Sequence, residues 1–133
     1  MFRLLSLWFP VVAMMAAIFA VSSMSAPPAP AGVSDKSLHA ATYAVLAALT
    51  LRALAGGAWR GVHAGTVALA WFVASAYGAS DEFHQRFTPG RHADWQDVLA
   101  DAAGAAAGAG VVWAWGIIRR FAGVSRRRPR PHT

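Results

Sequence analysis

The chain holds only six acidic residues, and their spacing draws them together. The stretch "SDEFHQRFTPGRHADWQD", residues 80–97, contains Asp81, Glu82, Asp94 and Asp97 beside two histidines and two arginines. Helical positions three, four, seven and eleven apart share a face. Asp94, Asp97, Asp101, Gly104 and Gly108 therefore form one stripe, and Trp71, Ser75, Gly78, Glu82 and Gln85 a second. Asp35, His39, Thr42 and Leu46, with Tyr43 beside them, form a third. Carboxylates paired with a histidine suit general acid–base chemistry, with Glu82 as base, Asp97 as its partner and His39 as a second acid or base. Arg91 and Lys36 are the cationic anchors for a phosphate or carboxylate, and Asp35, Tyr43, Gln85 and Asp101 complete a candidate ligand-binding set. A divalent metal at Glu82, Asp97, Asp101 and His39 is the weaker alternative, because no compact ligand motif of the H-E-x-x-H kind is present; no cofactor is expected.

Each of these residues also has a structural reading. Acids are favoured at a helix start, so Asp94 and Asp97 could be caps, as could His39. Lys36, Arg86 and Arg91 could simply neutralise acids. Asp101 weighs against that reading, since an ionised Asp at mid-bilayer costs about 2.5–3.5 kcal/mol and polar groups at that depth usually line a functional cavity. Asp81, His84 and Asp94 read as dispensable, and His84, His92 and Trp95 as a solvated or interfacial face.

The elements that must carry these residues follow from composition. Of 133 residues, 56% are hydrophobic and 14% charged, against about a quarter charged in soluble domains. Spanning a bilayer core of about 30 Å takes roughly 20 helical residues, and four windows qualify: 4–23, 36–55, 62–81 and 98–118. The expected fold is all-α, a four-helix transmembrane bundle over residues 1–118, with a basic, disordered tail over 119–133. A secretory signal peptide is the rival for the first window, but its apolar run of about 18 residues exceeds the usual range of roughly 7–15; Pro10 would kink it near one end.

Counting Lys and Arg beside the windows places Arg3, Arg52, Arg60 and the tail arginines on one side and Lys36, Arg86 and Arg91 on the other. Positive charge resists translocation, so both termini are expected in the cytoplasm and the three polar stripes at the outer ends of their helices. The location is the cytoplasmic membrane, multi-pass, with the bilayer itself as first partner. The basic tail suits anionic lipid headgroups, and nucleic acid is not expected because no RNA-binding fold surrounds it. With no cysteine, disulfides, thiolate metal sites and cysteine nucleophiles are excluded. In "FTPGR", Pro89 and Gly90 suit the central positions of a type II turn between Thr88 and Arg91, which would return the chain from Glu82 towards Asp97.

Three segments, "DKSLHAATYAVL" at 35–46, "DEFHQRFTPGR" at 81–91 and "DVLADAAGAAAG" at 97–108, resemble the VanZ-like family, named for an accessory protein of bacterial glycopeptide (teicoplanin) resistance. Its pattern runs D-K-x-x-H-x-x-x-Y, then E-x-x-Q-x-x-x-P-x-R, then D-x-x-x-N-x-x-G-x-x-x-G. The match carries over Asp35, Lys36, His39 and Tyr43, then Glu82, Gln85, Pro89 and Arg91, then Asp97, Gly104 and Gly108. The family's Asn falls at Asp101, a potential charge in place of a neutral amide. The resemblance implies a small integral membrane protein linked to glycopeptide susceptibility. Joined to the outer polar cluster, it suggests a pocket that binds, and could process, a cell-envelope lipid or peptidoglycan-related ligand. The alternatives are a non-enzymatic scaffold or docking protein in envelope assembly and, third, a small transporter subunit. Transport is disfavoured because the cytoplasmic halves of the windows hold almost no polar residue beyond Thr50 and Thr66.

Overall fold

The structure is a computed structural model that describes residues 2–125, with side chains through 122; the end of the expected basic tail, 126–133, lies outside the described residues. Four α-helices follow one another: α1 (Phe2–Ser22), α2 (Asp35–Leu54), α3 (Ala64–Gln85) and α4 (Trp95–Ser125), with a single 3-10 turn at Trp59–Gly61 between α2 and α3. No strand occurs among the described residues. Helices α1, α2 and α4 are long and apolar enough to cross a membrane. α3 has the length, 22 residues, but ends in the polar run Ser80–Gln85, so the expected four spans are matched in helix number and in three spans by hydropathy.

Local chemistry sets the boundaries. Ser34 caps α2 by accepting from Ser37 N–H. His63 and Thr66 form a reciprocal capping box at α3, and Asp94 opens α4 by accepting from Gln96 N–H at 2.9 Å. Such side chains satisfy amide groups that a helix start leaves without partners. Pro10 lies inside α1, which stays continuous around it. Between α3 and α4, Arg91 N–H donates to Thr88 C=O at 3.1 Å and Gly90 has φ +79°, as the expected type II turn requires. α4 continues past the expected end at 118, because Arg120 donates to the carbonyls of Trp59 and Val62 and Arg119 lies 5.2 Å from the Trp115 ring centroid.

Contacts between helices define an up-and-down bundle. Lys36 meets Asp97 and His39 meets Asp101 at separations of 61 and 62 residues, and Ala40 and Ala44 back onto Gly104 and Gly108. A nearly constant offset means that α2 and α4 run parallel. α1 and α3 are likewise parallel, through Met15–Tyr77, Ser22–Asp81 and Ser23–His84. The N-terminal ends of α2 and α4 therefore share one end of the bundle with the C-terminal ends of α1 and α3.

The α2–α4 seam depends on missing side chains. A Cβ on Gly104 or Gly108 would collide with the carbonyl of Ala40 or Ala44. The core around the seam is largely alanine, including Ala47, Ala70, Ala74, Ala105 and Ala109, filled out by Tyr43, Leu46 and Leu51. Close backbone packing of small residues is how helices associate in lipid, where apolar surface alone gives no drive to pair. Phe9, Phe72, Leu99 and Val111 point outward, a face suited to acyl chains.

Gly104→Ala is expected to destabilise the detergent-solubilised protein by about 1–3 kcal/mol or more. Gly110, which has open space where its Cβ would stand, should accept Ala without loss. Thermal unfolding followed by tryptophan fluorescence checks both; equal midpoints for the two variants would contradict the seam.

Candidate functional site

The end of the bundle shared by the starts of α2 and α4 and the ends of α1 and α3 is organised by two networks. In the first, His39 Nδ1 donates to Asp101 Oδ1 at 2.9 Å across the α2–α4 seam, with the Asp101 side chain 0% exposed. Its other oxygen, Oδ2, has no hydrogen-bond partner and faces Gly78 of α3, whose Cβ would stand 2.6 Å away. The Tyr43 ring is stacked with the His39 ring, centroids 6.5 Å apart, and its buried hydroxyl also lacks a partner. One turn nearer the surface, Lys36 Nζ bridges Asp94 at 3.0 Å and Asp97 at 3.1 Å. Asp94, in the turn before α4, is held below the usual carboxylate range by the Gln96 N–H and then by Lys36.

The second network centres on Gln85. Its amide nitrogen donates to Asp81 Oδ2 at 3.2 Å and to Glu82 Oε1 at 3.0 Å, while its carbonyl accepts both Arg91 Nε and Arg91 Nη2. The amide therefore turns its positive end to two carboxylates and its negative end to a guanidinium. Ser22, the last residue of α1, donates to Asp81 Oδ1 at 2.6 Å, and Glu82 Oε2 accepts Asp94 N–H at 3.0 Å. Buried polar groups satisfied this fully hold a geometry firmly.

A cavity of about 270 Å³ opens beside both networks. Asp35, His39, Tyr43, Asp81, Gln85 and Arg91 line its polar side, and Met14, Ile18 and Val21 of α1 its apolar side, with Pro27 and Pro28 from the loop after α1. A separate cavity of about 240 Å³ lies between α3 and α4 and takes Glu82, with Phe83, Arg86, Asp94 and Trp95.

The residues expected to form the site are thus divided. Asp35, His39 and Gln85 line the larger cavity, and Tyr43 and Arg91 join them. Glu82 faces the other cavity, with both oxygens engaged by Gln85 and Asp94 and no hydrogen bond to Asp97, its expected partner. Of the four residues weighed for a metal, Asp101 is bound to His39 and Glu82 to Gln85; the ligand atoms that converge within 4.8 Å of one another are those of Asp35, His39 and Asp97.

Three participants, Asp81, Ser22 and Ser23, lie outside the sequence pattern. Asp81, dispensable on its spacing, is 5% exposed and tied to α1. Its signal was the spacing Gly78, Asp81, Gln85, which shares a face as well as Gly78, Glu82, Gln85 does. Ser22 and Ser23 gave no such signal, because they meet Asp81 and His84 only once α1 packs beside α3.

The sequence pattern described as VanZ/LLP1 matches residues 4–119. No curated protein and no solved structure matches the chain.

Removing one partner of a buried hydrogen bond leaves the other unsatisfied at a cost of about 1–3 kcal/mol, more where that group is charged, so His39→Ala should destabilise strongly. In an Asp101→Asn background the same change should cost about 1–3 kcal/mol less. A double-mutant cycle in mixed-micelle denaturation measures the difference; additive effects would contradict the pairing.

Proposed function

Because the chain belongs to the VanZ/LLP1 family, we propose that it is a four-span protein of the bacterial cytoplasmic membrane in which the cavity of about 270 Å³ between α1, α2 and α3, at the extracytoplasmic end, binds an amphiphile. The ligand class is a cell-envelope lipid or a lipid-linked peptidoglycan-related molecule. The observation that carries this reading is the two-sided lining: Met14, Ile18 and Val21 on one wall, His39, Tyr43, Gln85 and Arg91 on the other. Ligand sites combine an apolar surface with a few placed polar groups, and a lipid head with the first part of its chain needs both in that order.

The distribution of charge supports the orientation. Arg3 donates to Gly56 C=O and Arg120 to Trp59 and Val62, so these arginines gather at the end opposite the carboxylates, the side that retains positive charge. Trp59 and Trp115 at that end and Trp95, Phe83 and Phe87 at the other are exposed, as aromatic belts at the two interfaces are. The basic residues after 118 suit anionic headgroups of the inner leaflet. A role in susceptibility to glycopeptide antibiotics fits a ligand drawn from envelope synthesis.

A second reading has its own support: a non-enzymatic scaffold in envelope assembly. Both Glu82 oxygens are bound within the protein and the residue is 4% exposed, whereas a general base must reach its proton. Hydrolysis or transfer by Glu82 therefore requires the Gln85 and Asp94 contacts to open.

Purified protein is expected to carry a bound amphiphile, and added polyprenyl phosphate should raise its thermal midpoint. Ala17→Trp, which places a large side chain in the cavity from the α1 side, should remove both effects. Native mass spectrometry and thermal shift measure them. A wild type with no bound amphiphile and no shift rejects the binding reading, and an Ala17→Trp variant that behaves as wild type rejects this cavity as the place.

A further inference from the structure

The outer end holds far more negative than positive charge. All six acidic side chains lie there, and among the described residues Lys36 is the one lysine or arginine in a salt bridge with any of them. Arg91 spends its guanidinium on Gln85, and Arg86 lies 5.6 Å from the Phe83 ring centroid. With six carboxylates against Lys36, Arg86 and Arg91, a further cation at this end would strengthen its hold on the phosphate or carboxylate of a lipid head.

We propose that Asp35, His39 and Asp97 form a divalent-cation site, with Asp101 as the carboxylate that orients the imidazole. The ligand atoms of the three lie within 4.8 Å of one another. Asp101 takes Nδ1 of His39, which leaves Nε2 as the ring nitrogen able to ligate; a carboxylate on the other nitrogen is how ligating histidines are held in tautomer and orientation. Lys36 occupies Oδ1 of Asp97, leaving Oδ2 for a metal. Tyr43 gives an independent pointer: its hydroxyl is buried without a partner, the residue is 1% exposed, and it lines the same cavity as Asp35 and His39.

One imidazole nitrogen and two carboxylate oxygens favour Zn²⁺ or Mn²⁺ over thiolate-seeking metals. Three protein ligands leave coordination open for water or for an anionic head group, and the ion's charge would turn an acidic rim into an acceptor of phosphate. That last role rests on the amphiphile reading; the ion site itself does not.

The test uses the full chain in detergent, stripped with a chelator and free of added lipid, titrated calorimetrically with ZnCl₂ and with MnCl₂. Wild type should bind about one ion saturably. Asp35→Asn, which alters an exposed side chain at the start of α2, should weaken binding at least tenfold with the unfolding midpoint of the metal-free protein unchanged. Asp101→Asn should weaken it about 10–100-fold while keeping the stoichiometry. Lys36→Met should strengthen it several-fold, since a competing cation is gone. No saturable binding of either ion, or equal binding by wild type and Asp35→Asn, overturns the site. Repeating the amphiphile thermal shift in chelator separates the two claims, because a lipid shift retained there rejects the ion's part in holding the head group and leaves the amphiphile reading standing.

Discussion

The buried pair of His39 and Asp101 is the constraint on which the polar half of this bundle depends. A carboxylate with no exposed surface, on a helix able to cross a membrane, needs a partner with a proton to give, and His39 on α2 supplies it at 2.9 Å. Satisfying that bond fixes the register of α2 against α4. One turn deeper the same register sets Gly104 against Ala40, then Gly108 against Ala44, where nothing larger than glycine fits. On the remaining side Gly78 leaves room for the second Asp101 oxygen. Polar pairing and close packing therefore depend on each other: the glycines allow the approach that the pair requires, and the pair selects the register in which the glycines fit.

From that fixed α2–α4 core the cavity follows. α3 brings Asp81 and Gln85 to the same end, and α1 is fastened to α3 by Ser22 on Asp81 and by Tyr77 on the Met15 carbonyl. α1 thereby becomes the apolar wall facing the polar groups of α2 and α3. Most of the charge at this end is internally satisfied, which argues for a rigid binding surface. Three buried side-chain atoms among the described residues have no partner, Tyr43 Oη, Ser75 Oγ and Asp101 Oδ2, and of these residues Tyr43 lines the cavity.

Much of this was legible in the sequence because it is periodic. Apolar windows marked four helices, three-and-four spacing found the glycine seam and the three polar stripes, and Pro89–Gly90 announced its turn. What could not be read is which stripe residue faces which neighbour. Glu82 and Asp81 are adjacent in sequence and both lie near the α3 stripe, yet rotation of α3 sends Glu82 to a cavity against α4 and Asp81 to α1. The end of α4 depended on carbonyls of a distant 3-10 turn that accept Arg120. His39 and Asp101 appeared in different stripes, and only the parallel packing of their helices makes them one pair.

Nuclear magnetic resonance of isotope-labelled histidine in detergent micelles tests that pair most directly. The account predicts that His39 shows a slowly exchanging, strongly downfield proton on Nδ1 and that the signal disappears in Asp101→Asn. A His39 ring whose protons exchange freely in the wild type, or whose spectrum is indifferent to Asp101→Asn, would contradict it.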